Sequence, residues 1–179
     1  MGRIDKHHKG LDILLDAIKI LLYKGKINNF YLSLYGTGFE KDINWLLESI
    51  KTLPSDVISY KGPVYGKEKD LVFKESNLFI LTSRYEGMPM GVLEALSYGL
   101  PCILTPGTNF ADEVDKQKAG WKVELSAKRI AETIEFALND YNLNNKILVS
   151  NAIDLAKQYA WEKISNESIC EYRKVLDGM

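Results

Sequence analysis

The chain has 179 residues, 46% of them hydrophobic and 26% charged, which is enough to bury one substantial core without help from disulfides or metals. Its 23 Lys and Arg against 24 Asp and Glu exclude a nucleic-acid binder driven by excess positive charge, and exclude an acidic tail. No apolar run reaches the roughly 18 residues that a membrane span needs, and the first residues carry no signal-peptide pattern, so the reading is a soluble, cytoplasmic chain with peripheral membrane docking left open.

In chain order, "GLDILLDAIKILLYKG" repeats apolar residues at Leu11, Leu14, Leu15, Ile18, Leu21 and Leu22, the stripe of an amphipathic helix closed by Gly25. "FYLSLYGTG" reads as a strand ended by Gly36 and Gly38, followed by a helix over "EKDINWLLESIKT" that stops before Pro54. "VISYKGPV" is a strand, "GKEKDLVFKES" a helix, and "NLFILTS" a near-continuous apolar strand of the kind that a parallel sheet buries on both faces. "MGVLEALSYG" is a helix, "LPCILTP" a strand and "AGWKVEL" a last short strand, and three helices end the chain around Ile130, Leu155 and Trp161 to Leu176. This alternation predicts an α/β domain, a Rossmann-like doubly wound parallel sheet with helices on both faces. No repeat or linker divides it. "MGRIDKHHKG" runs straight into the first helix, so residue 1 is expected to lie near the end of a first strand, inside a longer protein.

In an open parallel sheet, ligands bind beyond the carboxyl ends of the strands, where strand order reverses. Counting a strand ahead of residue 1, "GRIDKHHKG" follows the first strand and "SRYEGMPMG" the fourth, so the two chemically richest loops face one crevice. Arg3 and Lys9 are cations on one loop, and the other opens a helix whose free N–H groups attract an anion. A diphosphate fits between them, with Arg supplying a planar fork and Lys a mobile charge. The residues alone equally allow Arg3 and Lys9 as ordinary surface cations, Glu86 as an acid at a helix start, and Glu94 on a solvated helix face. Gly36 and Gly38 fit a plain turn as well as close ligand approach. His7 and His8 are adjacent with no second ligand pair, and read as exposed loop histidines rather than as a metal site. Lys67, Lys69 and Lys74 read as a solvated helix face. Cys102 and Cys170 have no paired spacing and read as reduced, buried thiols.

Five segments, "GRIDKHHKG", "GTG", "YKGPV", "SRYEGMPMGVLEALSYGLP" and "YAWEKIS", together resemble in order and spacing the C-terminal, donor-binding half of the family 4 retaining GT-B glycosyltransferases. The most specific of them carries Glu86 and Glu94 in an E-G-x-x-x-x-x-x-E-A context followed by G-L-P. The resemblance implies one donor-binding domain over residues 1–179, the C-terminal half of a GT-B fold. It also implies transfer of a hexosyl unit from a UDP- or GDP-sugar to an acceptor hydroxyl with retention.

By that resemblance, Arg3, Lys9 and Glu86 are catalytic: the cations neutralise the departing diphosphate, and Glu86 contacts the transferred sugar. Glu94 holds the ribose hydroxyls. Gly87, Met88, Met90, Gly91 and Val92 bring backbone close to the donor. Gly36, Gly38, Pro63 and Val64 complete the donor pocket, and Pro89, where many relatives have Gly, has no N–H to donate. No metal and no cofactor beyond the nucleotide-sugar donor is implied. A sugar or lipid-linked acceptor would bind through an N-terminal domain outside this chain, so the isolated domain is expected to bind donor and turn over poorly. No nucleic-acid partner is expected. A nucleotide-sugar epimerase of GT-B shape and a non-catalytic nucleotide-sugar-binding module are the alternatives. Epimerised sugar in the absence of acceptor would mark the first, and a natural chain that begins at residue 1 would favour the second.

Overall fold

The computed structural model describes residues 1–25 and 30–177. Its elements follow the predicted alternation: α1 (Leu11–Tyr23), β1 (Leu32–Leu34), α2 (Glu40–Ile50), β2 (Ile58–Tyr60), α3 (Gly66–Glu75), β3 (Phe79–Leu81), α4 (Met90–Ser97), β4 (Cys102–Leu104), a 3₁₀ turn (Pro106–Thr108), α5 (Ala111–Lys116), β5 (Gly120–Lys122), α6 (Ala127–Gln158) and α7 (Trp161–Asp177). Every strand pair is parallel. The sheet comes in two pieces, β1-β2 and β3-β4-β5, where the sequence predicts one. Ahead of α1, the amides of Gly2 and Ile4 donate to the carbonyls of Tyr35 and Thr37 at 3.0 and 2.8 Å, so residues 2–4 run parallel to the chain leaving β1.

The stripe on α1 is buried at Leu11, Leu14, Leu15, Ile18 and Leu21, and it packs on β1, β2 and the first half of α6 through Ile130, Ala131, Ile134 and Ala137. A second apolar cluster joins Phe73 of α3, Val92, Ala95 and Leu96 of α4, Cys102 and Leu104 of β4, and Ala152 and Leu155 of α6. One helix thus serves both clusters. The 32-residue α6 manages this by breaking helical geometry at Asn144 (φ −125°, ψ 17°), whose side chain donates to Asp140 at 2.6 Å. The two helices predicted around Ile130 and Leu155 are therefore limbs of one bent helix. The 3₁₀ turn and α5 are too short to carry a periodic signal and were not anticipated.

Two expectations are corrected. The fully buried strand is β4, whose residues are buried throughout, whereas in β3 only Phe79 is buried and Ile80 and Leu81 are half-buried, because one edge of β3 has no strand against it among the described residues. Cys102 is buried, and its thiol is pushed far above the ordinary range by desolvation. Cys170 is exposed, because α7 leaves most of its surface to solvent, including Trp161, Tyr172 and Val175.

Gly10 enters α1 in the left-handed region (φ 63°), and a Cβ there would lie 2.0 Å from the Thr82 carbonyl oxygen. Gly62 has a similar φ of 78° but open space around it. Gly10→Ala is expected to lower the unfolding free energy by more than about 1 kcal/mol, and by clearly more than Gly62→Ala, in urea titrations of the two variants.

Candidate active site

The loop before α1 and the loop after β3 meet at the carboxyl ends of the strands and are sewn together by partly buried polar contacts. The Thr82 hydroxyl donates to the Lys9 carbonyl at 3.1 Å, and the Arg84 amide donates to the His8 carbonyl at 2.9 Å. The Arg84 guanidinium grips both oxygens of Asp12 at 2.9 and 2.8 Å, and also reaches the His7 carbonyl. Burial alone would push the Asp12 carboxyl up, but the hydrogen bonds and charge of Arg84 hold it below the usual carboxylate range.

This seam brings Lys9 onto Glu86. The two form an ion pair with side chains only 16% and 12% exposed, and the Ser83 hydroxyl donates to the same carboxylate at 2.6 Å. Desolvation pushes the Glu86 carboxyl up, yet the hydrogen bonds from Lys9 and Ser83 prevail and hold it below its ordinary value. Asn109, left-handed at φ 56° after the 3₁₀ turn, donates its side-chain amide to the Glu86 carbonyl.

Arg3 is half exposed and lies 3.5 Å from Asp5. It also donates to Nδ1 of His8 at 2.7 Å, while Nε2 of His8 lies 2.6 Å from the Tyr85 carbonyl. A guanidinium can only donate and a carbonyl can only accept, so these two contacts fit the His8 tautomer with its proton on Nε2. Its ring stacks on Tyr85 with centroids 4.2 Å apart. His8 is therefore a bridge from Arg3 to the Tyr85–Glu86 backbone, not the idle loop histidine that the sequence predicts. His7 is exposed.

Glu94 lies on α4 and pairs with Lys69 of α3; Tyr98 adds a second link between these helices by donating to Asp70 at 2.7 Å. Lys69 therefore departs from the expected solvated face, on which only Lys67 and Lys74 are fully exposed. Gly87 and Met88 are exposed on the connecting loop, Met90 is exposed at the first position of α4, and Gly91 after it is half-buried. The Val92 side chain is wholly buried in the core and its amide donates to the Pro89 carbonyl at 2.8 Å. It anchors α4. Gly36 and Gly38 have a packing reason of their own, because a Cβ on either would lie 1.7 or 2.0 Å from the carbonyl oxygens of Gly2 and Ile4. The Gly36 amide donates to the Gly62 carbonyl at 3.0 Å, which ties this turn to the loop bearing exposed Pro63 and half-buried Val64. Among the described residues, no cluster of three or more His, Cys, Asp or Glu is placed to hold a metal, and no helix is long and apolar enough to cross a membrane.

Sequence reasoning missed His8, Asp12, Ser83, Arg84, Lys69 and Asn109. Asp12 and Arg84 are ordinary charged residues 72 positions apart, and only the topology makes them neighbours.

Residues 1–153 match the glycosyl transferases group 1 family, and the chain belongs to it. It is a GT-B-type glycosyltransferase domain. Among curated relatives, it is 27% identical over 137 residues to mannosylfructose-phosphate synthase of Agrobacterium fabrum, covering 67% of this chain and 30% of that protein. It is 27% identical over 167 residues to O-antigen chain mannosyltransferase B of Escherichia coli, covering 92% of this chain and 42% of the relative. The chain thus spans less than half the length of these curated relatives. The fold matches a glycosyltransferase from Rickettsia africae with a TM-score of 0.81 at 17% identity, covering 99% of this chain and 48% of the other. It also matches the C-terminal domain of a glycosyl transferase group 1 protein from Francisella tularensis with a TM-score of 0.73 at 22% identity, covering 88% and 82%.

Because its depressed folded-state titration stabilises the fold only while ionised, the contribution of Glu86 is complete at neutral pH and fades as pH falls through and below the ordinary glutamate value of about 4.3. Lys9→Met leaves this carboxylate half-buried without its cation. The variant is expected to lose about 1–3 kcal/mol at pH 7, and chemical unfolding at a series of pH values should show the gap from wild type closing in acid.

Proposed function

We propose that this chain is the donor-binding half of a retaining hexosyltransferase that takes a UDP- or GDP-sugar and passes the hexosyl unit to an acceptor hydroxyl. The observation that carries the reading is the Lys9–Glu86 contact, which joins the N-terminal cation loop to the acidic loop at one crevice. Arg3 reaches the same crevice through His8. In this reading Arg3 and Lys9 take the charge that develops on the leaving diphosphate, and the electrostatic stabilisation of that leaving group is the main catalytic term. Glu86 turns from Lys9 towards the hydroxyls of the transferred sugar, and Glu94 shares its Lys69 partner with the ribose hydroxyls. The backbone of Gly87, Met88, Met90 and Gly91 lies against the sugar and phosphates, and the loops at Gly36, Gly38, Pro63 and Val64 take the base end. The curated relatives support the class of reaction: one is named as a mannosyltransferase and another as a mannosylfructose-phosphate synthase. A pneumococcal O-GlcNAc transferase with a TM-score of 0.72 was crystallised with UDP and GlcNAc. The acceptor site belongs to a further domain, and any contact with a membrane surface belongs to the whole enzyme.

Calorimetry with UDP and with GDP tests the proposal. One nucleotide is expected to bind the chain, and Glu94→Ala to remove most of that binding while leaving the unfolding temperature within a few degrees. Equal binding by wild type and Glu94→Ala would refute the ribose role, and no binding of either nucleotide would refute the donor site.

A further inference from the structure

The Lys9 ammonium and the Ser83 hydroxyl bond the same oxygen of Glu86, Oε1. The backbone around both partners is fixed. The Asn109 side-chain amide donates to the Glu86 carbonyl at 2.5 Å, and Nε2 of His8 lies 2.6 Å from the Tyr85 carbonyl. The Thr82 hydroxyl donates to the Lys9 carbonyl at 3.1 Å, and the Arg84 amide to the His8 carbonyl at 2.9 Å. Lys9 and Glu86 can therefore change partners by side-chain rotation alone, with neither loop moving. Burial pushes the Glu86 carboxyl up, and the hydrogen bond from Lys9 is the largest of the contacts that hold it down. A ligand that draws Lys9 away leaves this carboxylate partly desolvated and without its cation, which is costly. An ionised diphosphate brings only acceptor oxygens and more negative charge, so it cannot compensate the carboxylate that it displaces.

We propose that Glu86 is a tethered competitor of the nucleoside diphosphate for Lys9, a carboxylate that weakens the hold on this product and speeds its release. The inference rests on the donor-site reading given above. Because the carboxylate is attached to the same framework as Lys9, it acts at a high effective concentration. A pair formed nine-tenths of the time raises the apparent dissociation constant of an anion that needs Lys9 about tenfold. A donor that still carries its sugar offers hydroxyls to the displaced carboxylate. Once the sugar has passed to the acceptor, the remaining diphosphate offers none, and Glu86 returns to Lys9. Removing this carboxylate from the site should therefore tighten the binding of the product rather than weaken it.

The test compares the chain itself with Glu86→Gln, Lys9→Gln and the double variant. Each is titrated with inorganic pyrophosphate, UDP and GDP at near-physiological salt, followed by amide NMR and calorimetry, and its unfolding temperature is measured alongside. Gln at position 86 keeps a carbonyl oxygen for Lys9 and Ser83, and Gln at position 9 keeps an amide donor for Glu86, so both variants retain the seam; Glu86→Ala serves as a second removal of the carboxylate. Glu86→Gln is expected to bind pyrophosphate, and whichever nucleotide the chain binds, about tenfold more tightly than wild type. In the Lys9→Gln background the same substitution is expected to gain at least about threefold less, because the competition needs Lys9. Equal or weaker pyrophosphate binding by Glu86→Gln and Glu86→Ala overturns the proposal. A gain of the same size with and without Lys9 also overturns it, in favour of plain charge repulsion. A Lys9-dependent gain for pyrophosphate with no binding of either nucleotide keeps the competition and removes the donor-site reading. Equal nucleotide binding by wild type and Glu86→Gln removes the competition and leaves the donor-site reading standing.

Discussion

The arrangement rests on one seam, where the end of β3 is bonded to the loop that enters α1. Thr82 and Ser83 are buried and polar, and their hydroxyls are committed to the Lys9 carbonyl and the Glu86 carboxylate. Arg84 closes the seam by clasping Asp12. Gly10 lets the backbones approach, since any side chain there would run into the Thr82 carbonyl. These contacts are worth little singly, but the low dielectric of the site makes each expensive to leave unmade. The seam therefore sets where Lys9, Glu86 and, through His8, Arg3 come to stand.

Much of this was legible beforehand because it follows from short-range chemistry. The stripe on α1, the glycines that end β1, and the helix starts at Gly66 and Met90 are all periodicity or turn signals, and each falls within a residue or two of its predicted place. Strand counting set the loop before α1 beside the loop after β3, where Lys9 meets Glu86; it said nothing of the Glu94–Lys69 pair. What was illegible depends on distance in sequence. Nothing in "GLD" says that Asp12 will meet Arg84, and nothing in "GKEKD" says that Lys69 will leave solvent for Glu94. The burial of Val92 went unread for a related reason: it is the third residue of α4, where the side chain turns to the core.

The two apolar clusters lie on opposite faces of β4, Ile103 in one and Cys102 and Leu104 in the other, and α6 is the helix that reaches both. Its bend at Asn144 lets one limb follow α1 and the other follow α4. Gly99, whose Cβ would press within 2.8 Å of Val149, marks how closely the second limb fits. Fold matches over nearly the whole chain describe this same arrangement of layers, whatever sugars the matched proteins handle.

The Lys9–Glu86 pair gives this crevice its own internal counter-ion. A bare phosphate arriving there competes with a carboxylate that is already seated and desolvated, and it offers that carboxylate nothing in exchange. A molecule that carries hydroxyls beside its phosphates can compensate both partners at once, one for the ammonium and one for the acid. On the function proposed above, such a charge lock would favour the composite molecule over a bare phosphate.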